Sequence, residues 1–292
     1  MAGVVSSSVS CDVAVHPPAF KEFAKVPTAP SPSALIQASD IVFSCVHDAE
    51  AAKEVMLGYN GVLESVGPGK AFVELTTLDP TTAIEFYEQV TSRGGRFLEA
   101  PLSGLKKDAE DGRLVFLCAG DKSLFDECGV FFQAIGRRSI FFGDPGNGAK
   151  FRLCHQMLAG VMVSAVAEIA AVCLRSGLST FDLNDVIGDY SPMGCPLVKQ
   201  ALKAMLEGVF EPSQQLGQMQ KELQLALHFT GFELSQPTYV TAAANQMFTH
   251  AKRQGEEMND SSAVYRLLSD SMRAGDTSGA SASALQLGDE QG

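Results

Sequence analysis

An α/β domain followed by an all-helical domain is the fold that the sequence predicts. Three observations predict it. Short apolar runs alternate with amphipathic stretches between residues 35 and 142, the pattern from Asn147 onward is helical with no convincing strand, and a glycine-rich DPGNG at 144–148 separates the two regions. Strands alternating with helices of about a dozen residues build a parallel or mixed sheet covered on both faces. Glycine and proline clustered between two periodic segments mark a junction. The expected divisions are 1–144 for the α/β domain, 145–272 for the helical domain and 273–292 for a tail. That tail is Gly, Ser, Ala and Asp, too poor in large apolar groups to pack, and is expected to be disordered.

The elements follow in order. Asp40–Val46 reads as a buried strand and Ala49–Leu57 as a helix; Lys70–Leu75 is a second strand, with a helix over Pro80–Arg93. Phe97–Ala100, Leu114–Cys118 and Ser139–Phe142 are further strands, and Lys122–Ile135 is helical. The second half reads as helices over Asn147–Ser176, Thr180–Gly188, Cys195–Glu207, Gly217–Thr230 and Pro237–Gln254. Within the first of these, Met157–Cys173 has nearly the composition of a membrane span. Glu168 interrupts it, and it is shorter than the roughly 20 apolar residues a bilayer requires, so a buried core helix is expected.

Composition narrows the function classes. With 46% hydrophobic and 19% charged residues, the 292-residue chain has the profile of a soluble globular protein with room for two domains. Its net charge of −12 repels phosphate backbones and anionic lipid, so no direct nucleic-acid or membrane binding is expected. Lys106–Lys107 and Arg137–Arg138 are short basic pairs read as solvated surface. Seven irregularly spaced cysteines without a Cys-x-x-Cys imply neither a disulfide framework nor a zinc site, and no metal is expected. A reducing, intracellular compartment fits them, cytoplasmic or nuclear. MAGVVSSSVS lacks the basic and apolar regions of a secretory signal.

LTTLD (75–79), RGGRFLEAPLSG (93–104), DGRLVFLCAGD (111–121) and GNGAK (146–150) resemble the β-hydroxyacid dehydrogenases, which include 3-hydroxyisobutyrate dehydrogenase and the glyoxylate and succinic semialdehyde reductases. QKELQLAL (220–227), TAAANQMF (241–248) and SSAVYRLL (261–268) resemble the subgroup of plant glyoxylate reductase and the animal nuclear factor N-PAC. The resemblance runs from about residue 34 to 268. It implies a Rossmann-like NAD(P) domain joined by a long helix to an all-α domain, with NADP(H) as cofactor.

The front of that domain is not legible. A dinucleotide fold opens on a strand, then G-x-G-x-x-G, then a helix whose N-terminus holds the pyrophosphate. No such motif precedes the first segment that resembles the family. Gly143-Asp-Pro-Gly146-Asn-Gly148 has other spacings and is expected to start the interdomain helix rather than to cradle phosphate. Val13–His16 would correspond to the second strand, leaving the first strand and the glycine loop absent. A shortened gene product is favoured over a rearranged fold. The Arg that pairs with the 2′-phosphate in NADP-preferring relatives is also missing at His16-Pro17-Pro18.

The resemblance places the catalytic lysine at Arg152 and the substrate-binding asparagine at Gln156, residues i and i+4 on one helical face. An arginine polarises a carbonyl but holds its proton above a pKa of about 12, a poor general acid at neutral pH. Lys150 lies about 200° around the helix and is read as a helix-start residue. His155, one position off that face, is read as packing or surface. Lys221 is kept in the subgroup's Lys-Asp pair but the acid becomes Glu222, and a pocket phenylalanine becomes Gln214. Ser103 and Gly104 remain to bind a substrate carboxylate, and Thr77 remains on the nicotinamide side. The expectation is therefore a catalytically impaired homologue, retained through its Ala- and Met-rich helical half as a homo-oligomer or with a protein partner. The alternative is an NADPH-dependent reductase of glyoxylate, succinic semialdehyde or a similar small aldehyde or keto acid. N-PAC proteins act in chromatin, but no PWWP-like module or basic DNA-binding hook is present in this sequence.

Overall fold

The computed structural model describes residues 28–269, so the Val13–His16 strand and the 273–292 tail of the sequence reading lie outside the described residues. The chain divides into two compact units between Cys154 and His155, ten residues beyond the expected 144/145 junction and inside a continuous helix. The glycine string at 144–148 is where helix Asn147–Arg175 begins.

The first unit is built on a mixed sheet. Helix α1 (Pro32–Ala38) leads into strand β1 (Ile41–Ser44), followed by α2 (Ala49–Leu57), β2 (Ala71–Glu74), α3 (Pro80–Ser92) and β3 (Arg96–Glu99). Strands β4 (Leu102–Ser103), β5 (Leu114–Gly120) and β6 (Gly136–Phe141) complete it, with α4 (Lys106–Glu110) before β5 and α5 (Lys122–Ile135) after it. Strands β1, β2 and β3 are parallel and in register, Ser44 opposite Glu74 and Glu74 opposite Glu99. Strand β5 is antiparallel to β3 and β4 and parallel to β6. The chain leaves β3 and continues through Ala100-Pro101 into β4, so both segments line one edge of β5. The Pro101 carbonyl accepts from Leu117 N at 3.0 Å across the gap.

Side-chain caps explain why the helices start where they do. Asp48, Asp79 and Asp121 accept from the backbone N–H groups of Ala51, Thr82 and Leu124, and Pro80 fits the first turn of α3. Helices α2 and α5 match the sequence reading end to end. Two apolar layers sandwich the sheet. One contains Phe72, Phe86, Phe97 and Val90, the other Phe116, Phe132, Leu98 and Leu124, with the Phe116 and Phe132 rings 4.5 Å apart. Helices α1 and α4 and the two-residue β4 are absent from the sequence reading. They are too short to show a period.

The second unit is helical. Helix α6 (Asn147–Arg175) enters it, followed by α7 (Thr180–Leu183), α8 (Pro196–Glu207), α9 (Leu216–His228) and α10 (Tyr239–Arg253). Its core joins Val163, Ala167 and Ala170 of α6 to Leu202 of α8, Met219 and Leu223 of α9 and Phe248 of α10. Gly160 lets α6 approach closely, because a Cβ there would lie 2.8 Å from Leu223 Cδ1. Helix α6 is long and apolar enough, by length and composition, to cross a membrane, yet these small residues place one of its faces in this core.

Two expected helices change pitch. The predicted Thr180–Gly188 helix ends at Leu183 and continues as a π-helix over Asn184–Asp189; the predicted Gly217–Thr230 helix ends at His228 with a π-turn over Phe229–Glu233. The Asp185 carbonyl accepts from Tyr190 N and that of Phe229 from Leu234 N, five residues on in each case. Each segment contains a glycine, Gly188 or Gly231, where α-helix propensity is lowest.

Candidate active site

Strand β2 delivers Thr76 and Thr77 at its carboxyl end, where ligands bind in open α/β sheets. Thr76 Oγ1 accepts from Val46 N at 3.0 Å, tying this turn to the one after β1. Thr77 Oγ1 accepts from Arg152 Nε at 3.2 Å, so two positions 75 residues apart meet. Ser103 sits half-buried on β4, opposite Val115, and Gly104 follows it at φ +147°, where a Cβ would lie 2.9 Å from Leu114 Cδ2. The first unit therefore brings Thr77 and Arg152 together and carries Ser103 and Gly104 on β4 and the turn after it.

Lys150 faces another way. Its Nζ donates to Asn147 Oδ1 at 3.1 Å, and its charge acts on the carboxylate of Glu99. That agrees with a helix-start role and separates it from Arg152. The glycine string likewise starts the helix. Its backbone donors are engaged internally: Glu99 Oε1 accepts from Gly146 N at 2.5 Å and Gly148 N at 3.1 Å, and Oε2 accepts from Ala149 N at 3.1 Å. A phosphate would need these same N–H groups. A buried carboxylate from β3 already has them.

Sequence reasoning missed Glu99 and its register neighbour Glu74. Both are buried at the ends of apolar strands, and burial pushes each carboxyl up to about 7. Bonds from Gly148, Ala149 and Gly146 and the Lys150 charge pull Glu99 back. Glu74 Oε1 accepts from Thr76 N at 2.8 Å, and the Thr76 and Ser44 side chains pull its carboxyl back against the effect of burial. The available signal was an acid inside an apolar strand, FVEL and FLEA.

The remaining candidates belong to the second unit. Gln156 is buried and donates from Nε2 to Met219 Sδ at 3.5 Å; His155 beside it is exposed. On α9 the half-buried Lys221 precedes Glu222, which is buried and accepts from Gln218 Nε2 at 3.2 Å. Gln214 lies on the loop before α9, its N–H donating to Asp260 Oδ2 at 3.3 Å and its carbonyl accepting from Ser261 N at 2.8 Å. Asp260 also takes Ser213 N and the Ser262 hydroxyl, so one buried acid fixes the backbone that presents Gln214. Among the described residues no group of three His, Cys, Asp or Glu could hold a metal ion.

Known proteins give this arrangement a context. Residues 12–143 match the family model of the NAD binding domain of 6-phosphogluconate dehydrogenase. Residues 146–268 match that of the NAD-binding region of NADP-dependent 3-hydroxyisobutyrate dehydrogenase. The cytokine-like nuclear factor N-PAC of Aedes aegypti is 44% identical over 237 residues, which are 81% of this chain and 42% of that protein. The Homo sapiens N-PAC is 39% identical over 236 residues. The chain thus spans less than half the length of these relatives. Among solved structures, 3-hydroxyisobutyrate dehydrogenase from Salmonella typhimurium superimposes with a TM-score of 0.79 at 25% identity, covering 89% of this chain and 91% of that one. A second structure, Psf3 in complex with NADP+ and 2-OPP, has a TM-score of 0.76 at 21% identity, covers 83% of this chain and 84% of that one, and shares the fold.

Proposed function

The chain belongs to the 3-hydroxyisobutyrate dehydrogenase family of NAD(P)-binding β-hydroxyacid dehydrogenases, and from that premise we propose that it is a catalytically impaired member, kept for assembly with copies of itself or with a protein partner. The observation that carries this reading is the Arg152–Thr77 contact. Reduction of a carbonyl requires a proton for the developing alkoxide, and the resemblance puts the donor at residue 152. A guanidinium there keeps the charge and can polarise an oxygen. It is a poor general acid for that step.

The described residues fit the dinucleotide at its nicotinamide end. Thr77 and Ser103 suit the nicotinamide and substrate side, while Glu99 takes the helix-start donors of the glycine string, so that string does not hold the pyrophosphate.

Assembly is supported by the second unit's surface. Leu158, Val172, Phe181 and Val186 are each 61–70% exposed, and Leu158 and Val172 share one helix, α6. The named N-PAC relatives are nuclear factors, which favours a nuclear or cytoplasmic site of action for this chain.

A second reading, an NADPH-dependent reductase of glyoxylate or a similar small aldehyde, is favoured by the retained Thr77, Ser103 and Gly104. Glyoxylate-dependent NADPH oxidation by the purified chain, with calorimetric titration of NADPH, separates the two. The impaired reading expects neither turnover nor micromolar binding. Oxidation at an ordinary enzymatic rate would establish the reductase instead.

A further inference from the structure

We propose that Glu99 is the positioning residue for the Arg152 guanidinium, acting through the first turn of α6. The inference concerns the residue on which the functional reading turns, but its readout is spectroscopic and does not need turnover.

Three N–H groups at a helix start normally go to a local cap or to water. Asp48, Asp79 and Asp121 are such local caps, each bonding three residues ahead. Glu99 differs in that it comes from β3, 47 to 50 residues away, is buried, and takes Gly146, Gly148 and Ala149 with both oxygens. The approach is closely fitted. A Cβ on Gly148 would lie 2.3 Å from the Leu117 carbonyl and 3.2 Å from Glu99 Cδ, so only glycine admits the carboxylate and the helix together. Asn147 Nδ2 donates to the Phe142 carbonyl at 3.0 Å and fixes the same turn from the other side.

Arg152 follows Gly148 by four residues, roughly 6 Å along the axis. Over that length an α-helix is rigid, so the anchored turn sets the direction in which residue 152 leaves the axis. A slip of one residue at the start would rotate Arg152 by about 100° and separate it from Thr77. The sheet fixes both ends of this measurement. Glu74 and Glu99 are register partners, Glu99 holds the helix, and Thr77 stands three residues beyond Glu74. Other titratable groups acting on Glu99 or facing it are the Lys150 ammonium, the Cys118 thiol and Glu74.

The test is nuclear magnetic resonance of the full-length, nitrogen-labelled chain, native and with Glu99→Gln or Glu74→Gln. In the native protein the amide protons of Gly146, Gly148 and Ala149 are expected to titrate together, with one midpoint near about 7, as their carboxylate acceptor does. Glu99→Gln keeps the shape and one acceptor oxygen. It should abolish that titration and speed exchange of the Arg152 Nε proton about tenfold. Glu74→Gln should leave both signals as they are. The proposal is overturned if Glu99→Gln folds with the Arg152 signal unchanged, or if the three amides lose their titration in Glu74→Gln. Should Glu99→Gln not fold, the other two proteins decide: amides titrating in both support the assignment, and amides flat in the native protein overturn it.

Discussion

Arg152 Nε donates to Thr77 Oγ1 at 3.2 Å, a contact between the start of α6 and the threonine that follows β2. Replacing Arg152 by the lysine that the family resemblance places there tests the proton supply. Arg152→Lys restores an amine but changes nothing at the glycine string, whose donors Glu99 still holds. Neither the native chain nor the variant is expected to oxidise NADPH with glyoxylate above the buffer rate. An enzymatic rate from Arg152→Lys alone would mean that the cofactor binds well and that proton supply was the whole defect. Thr77→Val, which removes the acceptor, should lower stability by about 1 kcal/mol in a urea melt.

Glu74 supplies a pH-dependent prediction. Burial raises its carboxyl from 4.5 to about 7, with the bonds from Thr76 acting in the opposite direction. A carboxyl whose folded pKa is raised binds its proton more tightly in the folded state. The stability from that proton is fully present below pH 4.5 and is lost as the pH rises through about 7. At about 1.4 kcal/mol per unit the loss is at most about 3 kcal/mol. Glu74→Gln keeps the acceptor for Thr76 N and never ionises. It should match the native protein at pH 5 and exceed it by about 2 kcal/mol at pH 8. Equal urea midpoints at pH 8 would mean that Glu74 is solvated when charged.

Glycine positions give opposite signs within one unit. Gly148→Ala places a methyl against the Leu117 carbonyl, which cannot swing aside, and against the Glu99 side chain. A loss of about 3 kcal/mol or more is expected, as for overpacking that displaces backbone. Gly129 lies inside α5 with nothing within 4 Å of an added Cβ, so Gly129→Ala should stabilise by about 0.5–1 kcal/mol through helix propensity. Thermal melts of the pair check both signs in one experiment.

Much of this frame was legible before any coordinates. Helices α2 and α5 are fixed by aspartate caps immediately before an apolar period, signals that reside in consecutive residues. Pairing of Arg152 with Thr77 was half-legible: both were candidates, but their meeting depends on where α6 starts. What sets that start is Glu99, and it was invisible because its partners lie 47 to 50 residues on. An acid in an apolar strand signals a buried partner without saying which. The π-turns over Asn184–Asp189 and Phe229–Glu233 overlap predicted helices that run to Gly188 and Thr230, because one extra residue per turn barely alters an apolar period over so short a run.

The helical unit carries the last prediction. Val172 and Leu158 are each 61% exposed and Ile169 is 44% exposed, on a helix whose other face is packed in the core. An apolar face left in water favours association by roughly 25 cal/mol per Å² covered, and several such side chains are needed to offset the entropy of bringing copies together. The chain is therefore expected to run in light scattering as a multiple of its 31.0 kDa mass. Val172→Glu puts a charge on that face without touching the core, so it should shift the protein to the monomer mass with its helical circular dichroism unchanged. A native chain that is monomeric at micromolar concentration would remove self-association and leave a different protein as the occupant of this face. A variant that stays assembled would move the contact to the exposed Phe181 and Val186.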